Sequence, residues 1–184
     1  MRYNVEKIKE IVRKNPNTEI IYFWGHTPNH KKMTKSCFSQ WYDVYFEVDG
    51  EQYHTTEQYM MASKARLFGD EDTRSEIMNS YSPAEYKKLG RKVKGFDATI
   101  WDEKKLDIVV EGNKAKFGQN PDLKEFLFGT GDAILVEASP YGKIWGIGLD
   151  REAALNGSVE DWDGENLLGC ALMEVRDWLN DKHL

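Results

Sequence analysis

Two cysteines, five prolines and four histidines among 184 residues exclude several kinds of protein at once. Cys37 and Cys170 stand far apart and in no CxxC pattern, so they read as two free thiols rather than a disulfide framework or a metal ribbon. His26 and His30 have i,i+4 spacing, but Pro28 and Asn29 lie between them and break the helix a zinc pair would need. No apolar run approaches the roughly 18 residues of a membrane span. Met1 to Lys14 has neither the apolar centre nor the small-residue cleavage site of a signal peptide, and the expected compartment is the cytoplasm. An excess of basic residues is also missing: 25 Lys and Arg face 31 Asp and Glu, for a net charge of −6. That balance argues against a broad grip on duplex nucleic acid, which depends on neutralising many phosphates. Phosphate-binding and hydrolase signatures fail too. Gly146-Ile147-Gly148 continues as Leu149-Asp150-Arg151, which breaks GxGxxG, and neither a P-loop nor a GxSxG elbow occurs.

What is present is a globular composition, 40% hydrophobic and 30% charged, with no linker and no repeat. Val5, Ile8, Ile11 and Val12 predict a helix over residues 5–14, stopped by Asn15-Pro16-Asn17. Glu19 to Trp24 reads as a strand. Val44 to Val48 and Glu51 to His54 read as a hairpin closed by Asp49-Gly50 in a type I′ turn. Thr55 followed by Gln58 is a capping-box pattern that opens a helix running to about residue 68. Ser82-Pro83-Ala84-Glu85 starts another, ending near Leu89, and Trp101 to Phe117 forms a long one. Asn120-Pro121 begins a short helix closed by Gly129-Thr130-Gly131. Residues 133–138 and 144–147 read as strands, and Asn166 caps a last helix with Leu168, Ala171, Leu172, Val175, Trp178 and Leu179 on its core stripe. The expectation is a single domain over residues 1–184, α+β and mostly helical with a small sheet, with the helix at 5–14 as an appendage.

The helix at 56–68 concentrates the chemistry. Glu57 and Lys64 lie seven positions apart, nearly two turns, so both heads fall on the face that carries Met60 and Met61. An acid and an amine on one apolar stripe suggest a pocket, and the bland alternative is an amphipathic helix with both groups solvated. His54 borders this helix and can either orient a proton transfer or simply end a strand. Lys31, Lys32 and Lys35, and Arg91 with Lys92 after Gly90, are either solvated or a rim for an anionic ligand. Trp24, Trp41, Trp101, Trp145 and Trp162 stand at predicted element ends, where aromatic faces line clefts; together they favour a planar substrate.

FSQW at 38–41, EQYMMASKARLF at 57–68, LGR at 89–91, TIWD at 99–102, KAKFGQ at 114–119, LVEASPY at 135–141, WGIGL at 145–149 and NLLGCALMEVR at 166–176 carry a resemblance to the NADAR, or YbiA-like, family. The matches run in one order over roughly residues 20–180. The resemblance implies a compact α+β fold and an N-glycosidase that needs no metal or other cofactor. Two substrate classes come with it: ribosylamino-pyrimidine phosphates of riboflavin synthesis, and ADP-ribose on guanine in nucleic acid, which implies transient contact with modified nucleic acid.

Carried over by position, the family pattern marks Glu57 and Lys64 as catalytic. It marks Arg91, Trp101, Trp145 and Gly146 as further site residues, and Trp24, Trp41 and Asn166 join them as substrate-binding candidates. Cleavage of a ribose C1–N bond passes through an oxocarbenium-like state, so a lysine attacking C1 and a carboxylate shuttling protons fit the chemistry. One departure stands out. The family usually has an aspartate three residues before the tryptophan of WGxG, and this chain has Gly142. Asp150 or Asp163 then supplies the carboxylate, or the chain is a non-catalytic sensor of ADP-ribose or NAD-like ligands.

Overall fold

The computed structural model describes residues 2–181. Short polar side chains set most helix starts. Asn4 caps α1 (Val5–Lys14), Thr55 caps α2 (Thr56–Leu67), Asp70 caps α3 (Glu71–Met78), and Ser82 caps α4 (Pro83–Gly90). Asp97 caps α5 (Ala98–Gln119), α6 follows as Pro121–Phe128, Asp150 caps α7 (Arg151–Asn156), and α8 spans Leu167–Asp181. The described residues also form four short strands, β1 (Ile20–Phe23), β2 (Phe46–Val48), β3 (Glu51–Tyr53) and β4 (Ile134–Glu137), and two short 3-10 helices, Lys35–Phe38 and Val159–Asp161. The class is α+β, as expected. The residues fall into two structural units.

One unit is built from the chain up to Ser39 and from Pro121 onward. Its sheet pairs β1 with β4 in parallel, Ile20 opposite Ile134 and Phe23 opposite Glu137. Leu135 and Val136 are fully buried, which is why the strand is a continuous apolar run. α8 covers it so closely that a Cβ at Gly169 would lie 2.1 Å from the Leu135 carbonyl oxygen. Buried Arg176 donates to Thr130 Oγ1 at 2.8 Å and to the Ala133 carbonyl at 2.9 Å, tying α8 to the turn before β4. α1 is anchored by fully buried Ile8, by Arg2 and Tyr3 on Asp177, and by Arg13 on Glu160.

Two readings of this unit need correction. Residues 144–147 form no strand. Ile147 N–H reaches the Glu137 carbonyl, but Gly146, Ile147, Ile144 and Trp145 turn their carbonyls to the amides of residues 163–168, so the segment is knitted into a loop instead of a ladder. Among the tryptophans, Trp162 is the core residue, 4% exposed, whereas Trp178 on α8 is half-buried.

The other unit is Gln40–Asn120. β2 and β3 pair antiparallel, and Asp49 (φ 53°) and Gly50 (φ 80°) supply the two positive φ values of the turn. α2 packs against α3, α4 and α5. Two contacts are so close that a Cβ would force a neighbour to move. A Cβ at Gly90 would lie 2.0 Å from Met61 Sδ, and one at Gly112 would lie 2.5 Å from the Tyr59 ring. α5 starts at Ala98, three residues before the expected Trp101, because Asp97 takes the Ile100 amide. α3 and α7 lie outside the sequence expectations.

Candidate active site

The start of α2 is held by its own polar side chains. Thr55 Oγ1 accepts from Gln58 N–H at 3.0 Å, while Gln58 Oε1 reaches back to His54 N–H at 2.8 Å, one residue earlier than a capping box would. Gln58 Nε2 continues to the Ile77 carbonyl, anchoring α2 to α3. The helix is not an amphipathic stripe. Every residue from Thr56 to Ala62 is buried, so its first half is enclosed on all sides.

Glu57 is 5% exposed, in the first turn, where the helix dipole favours an anion. Its backbone N–H donates to the Gln40 carbonyl at 2.9 Å, which also accepts from Thr56 Oγ1. Gln40 is placed in turn by Asn113 on α5, whose Nδ2 donates to Gln40 Oε1 and to the Val109 carbonyl, both at 2.9 Å.

Lys64 stands two turns later, roughly 10 Å along the axis at 1.5 Å per residue. Its Nζ donates to the Gly90 carbonyl at 2.8 Å, 4.3 Å from the centre of the Phe96 ring and 5.4 Å from that of Trp101. Burial disfavours the ammonium and pulls the amine below the ordinary lysine range. The structure thus gathers Lys64, half-buried Trp101, and Gly90 with exposed Arg91 just beyond it. Sequence reasoning misses Phe96; its signal lies in Lys94-Gly95-Phe96-Asp97, where an exposed aromatic precedes a helix cap. Trp41 follows Gln40 and is half-buried. The His54 ring lies against Tyr45 and Tyr81 at the end of β3, with centroids 4.5 and 6.3 Å away.

The remaining candidates belong to the first unit. Trp24 is 58% exposed, its ring 6.2 Å from that of Tyr141. Trp145 is half-buried, and a Cβ on neighbouring Gly146 would meet the Glu137 carbonyl at 2.7 Å. Asn166 is fully buried with φ 51°, and α8 begins right after it. Its side chain does not turn back to that helix. It accepts from Glu137 N–H and donates to the Leu135 carbonyl, both at 3.0 Å, clamping the 143–168 loop to β4.

Gly142 has room for a side chain, since a Cβ there would meet only Ser139 Oγ, at 3.8 Å. The two nearby carboxylates are engaged. Asp150 accepts from Ala153 N–H at 2.8 Å as the cap of α7, and Asp163 pairs with Lys143 at 2.5 Å. Among the described residues no three His, Cys, Asp or Glu side chains group as metal ligands. A cleft of about 560 Å³ lined by Ile21, Met33, Asp122, Glu125, Phe126 and Thr130 contains none of the candidates.

α2 thus carries an enclosed carboxylate and, two turns on, a lysine of lowered basicity beside aromatic rings. The NADAR domain profile matches residues 22–180, a stretch that takes in most of both units. The chain is 47% identical over 161 residues to N-glycosidase R617 of Acanthamoeba polyphaga mimivirus, covering 85% of this chain and 95% of that one. It is 32% identical over 160 residues to N-glycosidase YbiA of Escherichia coli, covering 87% and 88%. The NMR structure of E. coli YbiA superposes with a TM-score of 0.73 over 90% of this chain and 88% of that one, at 28% identity. A maize protein named riboflavin biosynthesis protein PYRR, chloroplastic, is 33% identical over 129 residues, 66% of this chain and 19% of that one. The chain belongs to the NADAR family. It is an enzyme of the N-glycosidase class.

Proposed function

We propose that this N-glycosidase hydrolyses the bond between ribose C1 and the exocyclic nitrogen of a ribosylamino-pyrimidine phosphate, with Lys64 as nucleophile and Glu57 as proton shuttle. The observation that carries the reading is the environment of Lys64. Burial lowers the basicity of its amine, so a larger share is unprotonated at neutral pH and able to attack C1. In that step the C1 bond to the Lys64 nitrogen forms as the C1–base bond breaks; the Glu57 carboxylate takes one proton from the new ammonium and passes it to the departing base, and the second N–H proton moves to the ring oxygen as the ring opens, leaving a Schiff base on Lys64. Water then adds to the imine carbon as Glu57 moves its proton to the Lys64 nitrogen, and the carbinolamine collapses to the sugar aldehyde and the free amine. Trp101, with its ring beside the Lys64 amine, is the surface on which the base or ribose stacks. Arg91, exposed at the end of α4, is the phosphate contact. In the first unit, Asn166 and Gly146 set the backbone around Trp145.

The small substrate is favoured over nucleic acid by the net charge of −6, which opposes a grip on a long polyanion, and by the name of the maize relative. A second reading, removal of ADP-ribose from guanine in nucleic acid, rests on the exposed Trp24 and Tyr141 rings, which offer a stacking surface for an unpaired base. Incubation with each substrate followed by mass spectrometry of both products separates them. Ribose 5-phosphate released from the pyrimidine compound supports the first reading; ADP-ribose released from modified DNA alone supports the second and overturns the first.

A further inference from the structure

Two opposite charges are buried in the second unit, on two helices packed against each other. Among its described residues the buried acidic and basic side chains are Glu57, Asp70, Lys105 and Lys116. Asp70 accepts from the backbone amides of Thr73 and Lys94, and Lys105 pairs with Asp102 at 2.7 Å on the same helix. The other two are Glu57, 5% exposed on α2, and Lys116, 0% exposed on α5.

Three contacts set the helix segments that carry them side by side. Gln40 takes the Glu57 amide on its carbonyl and the Asn113 amide on its side chain, so the first turn of α2 lies beside the turn of α5 that leads to Lys116. The Lys116 ammonium lies 5.6 Å from the centre of the Tyr42 ring, two residues beyond Gln40. Gly112, one turn before Lys116, lets Tyr59 of α2 pack directly on α5. Aromatic faces lower the cost of enclosing an ammonium, but a full charge without solvent calls for an opposite charge close by.

We infer that Lys116 supplies the positive charge that balances the buried Glu57 carboxylate and fixes its position, making Lys116 a positioning residue for the N-glycosidase reaction. The role in catalysis rests on the function proposed above; the pairing itself does not.

The test is a double-mutant cycle read as melting temperature, with Glu57→Gln, Lys116→Met and the two combined. Removing one partner of a buried pair strands the other, so each single variant is expected to melt on the order of 10 °C lower. The combined variant is expected to regain most of that loss. If Lys116→Met alone is insoluble, a combined variant that folds supports the pairing in the same way. Losses that add in the combined variant, or a combined variant that also fails to fold, would overturn the pairing. A second readout addresses position: Lys116→Arg is expected to keep turnover that Lys116→Met loses, with KM little changed in both. Equal turnover in all three proteins would overturn the catalytic role while leaving the melting cycle to decide the pairing.

Discussion

The amine of Lys64 on α2 donates to the carbonyl of Gly90 at the end of α4, 2.8 Å away, and this bond joins the candidate nucleophile to the glycine on which the two helices meet. Because burial lowers the basicity of Lys64, its reactive free-base form appears below the usual lysine range. kcat/KM is therefore expected to rise with pH and level off as Lys64 loses its proton, below about 10.4, the unperturbed lysine value. A pH–rate profile from 5 to 10 checks this. A profile whose rise waits for the unperturbed lysine range would contradict it.

A side chain at Gly90 collides with Met61. With Met61 Sδ 2.0 Å from where a Cβ would sit, Gly90→Ala forces α4 away from α2 or displaces the methionine. Overpacking of this kind costs about 1–3 kcal/mol, and here it also moves the carbonyl that holds Lys64. Urea denaturation should show that loss, turnover should fall with it, and Met61→Ala in the same chain should recover part of the stability.

Gly142 is the opposite case. Its surroundings are open, so Gly142→Asp is expected to fold with stability within about 0.5 kcal/mol of the parent. It restores the carboxylate that the family pattern has at this position, and a several-fold rise in turnover is the expected result. Unchanged turnover would show that this chain does not rely on a group there.

Asn166→Ala removes both hydrogen bonds that clamp the 143–168 loop to β4 and puts alanine at a φ of 51°. Two buried backbone groups lose partners and the left-handed conformation is disfavoured, for a total of about 3 kcal/mol. Melting measurements should show a clear destabilisation. A direct substrate contact by Asn166 would instead raise KM without a loss of stability.

These cases separate what neighbouring residues encode from what only the folded chain reveals. Capping signals and the Asp49-Gly50 turn depend on neighbours within four residues, and the elements they mark form where expected. Residues 144–147 look like a strand in the sequence because local apolar content does not reveal that residues 163–168 take their hydrogen bonds. Trp162 is buried and Trp178 only half-buried, against expectation, for the same reason: burial is decided by what packs across, not by position along one helix. Glu57 and Lys64 are legible through the resemblance, but Lys116, Gln40 and Phe96 reach their places only through tertiary contacts.

Mass spectrometry of the intact protein after borohydride is added during turnover looks for the covalent intermediate itself. If Lys64 attacks ribose C1, reduction traps a ribosyl-phosphate adduct that maps to Lys64 and is absent from Lys64→Ala, which also releases no base. Near-normal turnover by Lys64→Ala, or an adduct on another residue, would contradict a nucleophilic role for Lys64.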